Sequence, residues 1–161
     1  MPLNFFYLGH IARALPAASI VVVRRHPLDT GLSNFRQLFA ASVPYYDYAR
    51  NLRDIGRYFA QFDRLIAHWQ ATLPGRVHEV GYEALVANQR VETERLLAHC
   101  RLPWDEACLQ FERNASAVAT ASAVQVRQPL YASSVGRWRR YRQHLQPLID
   151  ELRAAGVRLD D

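Results

Sequence analysis

An α/β layer fold built on parallel strands is what this sequence predicts, and three features carry the expectation. Ser19-Ile20-Val21-Val22-Val23 is a short, β-branched, unbroken apolar run, the mark of a strand covered on both faces. A second strand signal, Val77 to Tyr82, comes only after two helical patterns have intervened. Strands separated by helices are joined by crossovers, and crossovers pair strands in parallel. With 161 residues, half of them hydrophobic, the chain can bury one core, and no internal repeat or low-complexity linker divides it. Residues 1–161 therefore read as a single domain. Two strands are too few for a doubly covered sheet, so an upstream segment or another chain is expected to complete it.

The elements follow in order. Leu3, Phe6, Ile11 and Leu15 recur near helical spacing from Pro2 until Pro16 stops them, which predicts a helix entering at the first residue. The apolar strand ends abruptly at Arg24-Arg25. Pro27 is then placed as a first-turn proline, and Leu28, Leu32, Phe35 and Phe39 continue a helical face to about Ala40. Residues Ala41 to Tyr48, with Pro44 and a tyrosine cluster (Tyr45, Tyr46, Tyr48), read as a loop with an aromatic surface. Leu52, Ile55, Phe59, Phe62, Ile66 and Trp69 define a long amphipathic helix that Pro74-Gly75 ends. After the second strand, helices are expected over about Val91 to Cys100, Asp105 to Arg113, Val135 to Tyr141 and Gln146 to Ala155, with an irregular stretch at Ala115 to Val124.

Composition narrows the chemistry. Twenty basic against 15 acidic residues leave +5, which suits an anionic ligand but is too diffuse for a nucleic-acid arm. The aromatics fall on apolar helical faces rather than between the arginines, so no base-stacking platform is present and no specific nucleic acid is expected. Every basic residue is Arg. The absence of Lys excludes a phosphate loop of the G-x-x-x-x-G-K-[ST] kind, whereas the planar guanidinium fork matches phosphate oxygens. Cys100 and Cys108 read as two free thiols in partly apolar helical segments. The six histidines form no i,i+4 pair and have no Cys-x-x-Cys partner, which leaves a metal site without support. No apolar stretch reaches membrane-spanning length and no signal peptide opens the chain, so the expected location is cytoplasmic.

In open α/β sheets, ligands bind beyond the carboxyl ends of the strands, where helix N-termini favour anions. Arg24 and Arg25 stand at such an end, and alternation along the strand turns one of them toward the crevice. Ser33, eight residues after Arg25, is placed to present a hydroxyl from the second turn of the next helix. Taken alone, a strand-end Arg is more often solvated or ion-paired than ligand-binding.

The run Arg25-His26-Pro27-Leu28-Asp29-Thr30-Gly31-Leu32-Ser33 resembles the 3'-phosphate-binding segment of sulfotransferases that use 3'-phosphoadenosine-5'-phosphosulfate (PAPS). Three further segments resemble that family in the same order. Pro2-Leu3-Asn4-Phe5-Phe6-Tyr7-Leu8-Gly9 with Leu15-Pro16 is similar to the preceding helix of bacterial tetratricopeptide-repeat and, more distantly, tyrosylprotein sulfotransferases. Val80-Gly81-Tyr82-Glu83-Ala84-Leu85 is similar to their strand-to-helix Tyr-Glu segment. Gln125-Val126-Arg127-Gln128-Pro129, running on to Val135-Gly136-Arg137-Trp138, resembles their C-terminal nucleotide-closing loop.

The resemblance implies a three-layer, P-loop-like parallel-sheet fold, helix-rich and truncated at its N-terminus. It implies a transferase moving a sulfuryl group from PAPS to an acceptor hydroxyl, with PAPS as co-substrate, no metal, and an acceptor of unread identity. Arg25 and Ser33 would bind the 3'-phosphate, Tyr82 would lie against the adenine or its neighbouring phosphate, and Ser122 and Arg137 would close over the nucleotide. Each has a plainer reading: Tyr82 as a half-buried strand-end tyrosine, Arg137 as one of a solvated run with Arg139, Arg140 and Arg142 beside an inward-packing Trp138, and Ser122 as a loop serine. The tyrosine cluster fits an acceptor surface or simple packing on the long helix. The family's Gly-rich 5'-phosphosulfate loop, its catalytic base and its Lys have no counterpart here, so the catalytic residues are unassigned. His10 reads as a structural helical histidine. The alternative function is a non-catalytic nucleotide- or partner-binding remnant of the same fold.

Overall fold

The computed structural model describes residues 3–37, 39, 42, 44–114, 127–128 and 130–159. Its helices are α1 (Leu8–Ala14), α2 (Pro27–Arg36), α3 (Leu52–Thr72), α4 (Tyr82–Ala87), α5 (Gln89–Cys100) and α6 (Gln146–Ala154). Its strands are β1 (Ile20–Arg24) and β2 (Val77–Gly81), and short 3-10 segments occupy Asn4–Tyr7, Pro44–Arg50, Glu106–Arg113 and Arg137–His144. The result is helix-rich with a small parallel sheet, the α/β character expected.

β1 and β2 pair in parallel, with Ile20 opposite Val77 and Arg24 opposite Gly81. Both strands therefore end at one edge of the sheet. Contrary to the expectation of a doubly covered strand, β1 is buried on one face only: Ile20 and Val22 are buried, whereas Val21 and Val23 are 37% and 64% exposed. Strand alternation explains the difference, because the four apolar side chains cannot all face the single layer of α1 and α3 that packs here. That layer forms one core from Leu8, Ala12, Ile20, Val22 and Ile66. A second and larger core joins α2, α3, α6 and the 137–144 segment through Leu28, Leu32, Ile55, Trp138, Leu148 and Leu152.

α3 belongs to both cores. Asn51 caps it by accepting from the Arg53 N–H at 2.8 Å. Its 21 residues rise about 31 Å, enough to reach from the sheet to α6. Arg76, just before β2, donates to the carbonyls of Ala12, Leu15 and Ala18 at 3.0, 3.1 and 3.2 Å, so the carbonyls around the end of α1 are satisfied and the loop into β1 is fixed.

Several elements are shorter or tighter than periodicity alone indicates. The first helix opens with a 3-10 turn, α2 ends at Arg36, and the tyrosine stretch is a 3-10 segment rather than a loop. The segments at Glu106–Arg113 and Arg137–His144 are 3-10 rather than α-helical, the first kinked at Gln110. Strand β2 stops at Gly81, and Tyr82 starts α4. Residues 115–124 lie outside the described residues. Cys100 and Cys108 are free thiols.

Candidate functional site

The strand register decides what meets at the sheet edge. Because Arg24 lies opposite Gly81, the next residues on each strand, Arg25 and Tyr82, are neighbours at the carboxyl ends. The Arg25 guanidinium stands over the Tyr82 ring, 5.3 Å from its centroid. Arg24 turns the other way, bonding Asp63 of α3 and approaching Glu79 at 3.3 Å. The strand end is pinned from below as well, since the His26 N–H donates to Glu83 Oε1 at 2.9 Å.

Beyond this edge opens a cleft of about 370 Å³. Arg25, Ser33, Tyr82 and Arg137 all line it, together with Arg36, Tyr131, Ser133 and Ser134. Four of the five residues singled out from sequence are thus brought together from the residue after β1, from α2, from α4 and from the Arg137–His144 segment. The fifth, Ser122, lies outside the described residues. Three guanidiniums and one carboxylate, Asp29, line the cleft. The Asp29 carboxylate accepts the N–H groups of Gly136 and Trp138 at 2.7 and 2.8 Å, so the net character is cationic.

The start of α2 is closed by its own residues. Pro27 occupies its first turn, and the His26 ring caps it, Nδ1 accepting from the Leu28 N–H at 3.2 Å. The His26 ring also stacks on Trp138, with centroids 5.1 Å apart and planes within 7°. Ser134 closes the far wall: its carbonyl accepts from Arg25, and its hydroxyl lies 2.9 Å from the Tyr82 hydroxyl. Arg25 Nε is buried with no hydrogen-bond partner, a donor aimed at nothing in the protein.

A second, apolar cleft of about 310 Å³ shares Val23 and Arg25 with the first. Aromatics dominate its lining, among them Phe5, Tyr48, Tyr58 and Phe62. Tyr48 stacks on Tyr58 with centroids 3.8 Å apart, which accounts for part of the tyrosine cluster by packing, while Tyr45 stays 51% exposed. Burial, followed by the Tyr48 and Tyr46 hydroxyls, pushes Tyr58 up to about 12, so it is a neutral phenol at physiological pH. His10 is exposed on α1 and lines neither cleft.

Asp29, Glu83, Ser134 and Trp138 were not among the residues chosen from sequence. Asp29 had a local signal, an i,i+4 relation to Arg25, but its partners are more than a hundred positions away. No helix among the described residues is long and apolar enough to cross a membrane, and no group of three or more metal-ligating side chains was found among them.

Residues 1–106 match the model of the Sulfotransferase family. The chain belongs to the sulfotransferase family. The matched range includes the sulfotransferase strand end at Arg25, the α2 serine Ser33 and the Tyr82-Glu83 pair, whereas Arg137 lies beyond it. An uncharacterized protein of Aquifex aeolicus (strain VF5) is 35% identical over all 161 residues. This sulfotransferase chain spans 21% of that relative's length.

Proposed function

We propose that the cationic cleft binds the 3'-phosphate of PAPS and that the protein takes part in sulfuryl transfer to an acceptor hydroxyl. Convergence supports the reading: Arg25, Ser33, Tyr82 and Arg137, chosen from three separated sequence segments, line one cleft beyond the strand ends. Arg25 supplies a guanidinium held on the Tyr82 ring, Ser33 a hydroxyl, and Arg137 a second cation. Ser122 is read as a further closing residue. The two-strand sheet, with one face of β1 open, is read as part of a three-layer, P-loop-like fold, and the location as cytoplasmic.

Sulfuryl transfer breaks the bond between sulfur and the leaving phosphate oxygen and forms one from sulfur to the acceptor oxygen, whose proton passes to a base. Charge grows on the leaving phosphate, so preorganised cations and N–H groups stabilise the transition state. In this division of labour the cleft holds the donor by its far phosphate and orients it, and no residue of the chain is assigned as base. One observation favours a second reading, nucleotide binding without transfer by this chain alone: all 20 basic residues are Arg, so no lysine is present to neutralise the leaving group.

Titration calorimetry with adenosine 3',5'-bisphosphate tests the site. The protein is expected to bind, and Arg25→Ala to weaken binding about tenfold or more, the size of a lost charge-assisted bond. Unchanged affinity in Arg25→Ala defeats the assignment. A sulfate-transfer assay with labelled donor then separates the two readings.

A further inference from the structure

We propose that Asp29 is a positioning residue that latches residues 134–138 onto the first turn of α2, so that filling the cleft and seating this segment are one event. The proposal rests on the nucleotide reading above and adds to it how the site closes.

The carboxylate is 1% exposed, and each of its oxygens accepts one backbone N–H. Oδ2 takes that of Gly136, 107 residues away, at 2.7 Å, and Oδ1 takes that of Trp138 at 2.8 Å. A buried carboxylate is tolerable only with such partners. Its separation from Arg25 Nη2, 3.9 Å, is too long for a hydrogen bond, so the two N–H groups, not the guanidinium, satisfy it. Residue 137 lies between the two donors. By gripping both neighbours of Arg137, Asp29 sets where that side chain leaves the backbone relative to Arg25, four residues before Asp29 and just after the end of β1.

The geometry of the gripped turn is demanding. Gly136 adopts φ +67, a left-handed conformation in which a glycine avoids the Cβ penalty, and Trp138 is 2% exposed against the His26 ring. Just upstream the same segment is attached a second time, through Ser134, to Arg25 and Tyr82. The first attachment is buried. The second is made by cleft residues that face a bound phosphate. An anion that draws on the Arg25 guanidinium and on Arg137 together therefore favours the seated segment, and a seated segment in turn favours the anion, since coupling between two such events is reciprocal. Asp29 itself is no phosphate ligand. Although it borders the cleft, its carboxylate is 1% exposed and satisfied by the two amides.

Amide hydrogen exchange read by NMR on the 161-residue chain, with and without adenosine 3',5'-bisphosphate, tests the coupling. The nucleotide is expected to slow exchange at Gly136 and Trp138 about tenfold, beyond any change at α3 core amides. In Asp29→Asn one oxygen is replaced by an NH2 group facing an N–H donor. These two amides should then exchange faster without ligand, affinity for the bisphosphate should fall about tenfold, and its preference over adenosine 5'-phosphate should shrink. A purely structural role would lower stability while leaving that preference intact. If the unaltered protein binds the bisphosphate but exchange at the two amides does not respond, or if Asp29→Asn keeps both affinity and preference, the latch is wrong while the nucleotide site stands. If the unaltered protein binds no bisphosphate, the site reading falls and the latch with it. Should Asp29→Asn fail to fold by circular dichroism, the exchange comparison on the unaltered protein decides alone.

Discussion

The guanidinium of Arg25 lies 5.3 Å from the centroid of the Tyr82 ring, one residue past the last paired residues of two parallel strands. A cation held on an aromatic face keeps its edge N–H groups available for an anion, so the ring orients the guanidinium without consuming its donors.

Tyr82 substitutions should separate the ring from the hydroxyl. Tyr82→Phe keeps the ring under Arg25 and loses the hydroxyl contacts to Ser134 at 2.9 Å and to the Tyr131 carbonyl at 3.4 Å, so bisphosphate affinity should fall by about threefold. Tyr82→Leu removes both, and the loss should exceed about tenfold. Equal losses in the two variants, measured by calorimetry, would show that the ring contributes nothing.

Gly31→Ala tests how tightly α2 packs. A Cβ at this position would stand 2.4 Å from Leu148 Cδ2 and 3.3 Å from Ile55 Cγ2, and Leu148 is fully buried. With no solvent side to swing into, Leu148 must distort its neighbours, at a cost of about 1–3 kcal/mol. Urea denaturation should show a lower midpoint with an unchanged slope. A midpoint equal to that of the unaltered protein would contradict the packing of α2 against α6.

High pH should weaken the protein through Tyr58. Its hydroxyl titrates near 10 when unfolded and is pushed up to about 12 by burial in the fold. The unfolded chain thus loses this proton first. The stabilising contribution is complete below about pH 10 and is lost progressively as the pH rises toward 12. Tyr58→Phe should flatten the fall of melting temperature over that window. An equally steep fall in Tyr58→Phe would remove Tyr58 as its cause.

What the sequence revealed follows the range of the interactions concerned. Ile20 to Val23 and the period through Leu52, Ile55 and Phe59 are local patterns, and both elements stand close to where they are expected. Arg25 was legible because a strand end before Pro27 is itself a local signal. Asp29 was not, since its role depends on amides more than a hundred residues distant. The exposed faces of Val21 and Val23 were hidden for a related reason: an apolar run specifies that a strand is wanted, not how many layers cover it. At Arg137–His144, four Arg among eight residues read as a solvated helical face with Trp138 packing inward; the ring is buried as expected, but in a 3-10 segment rather than an α-helix.

The central claim, that the cleft between Arg25 and Arg137 holds a 3'-phosphate, meets its most direct test in a crystal structure with adenosine 3',5'-bisphosphate. The account predicts the 3'-phosphate within hydrogen-bonding distance of the Arg25 guanidinium and the Ser33 hydroxyl, with Arg137 drawn toward it. A nucleotide lodged in the aromatic cleft beside Tyr58, or a 3'-phosphate pointing into solvent away from Arg25, would contradict it.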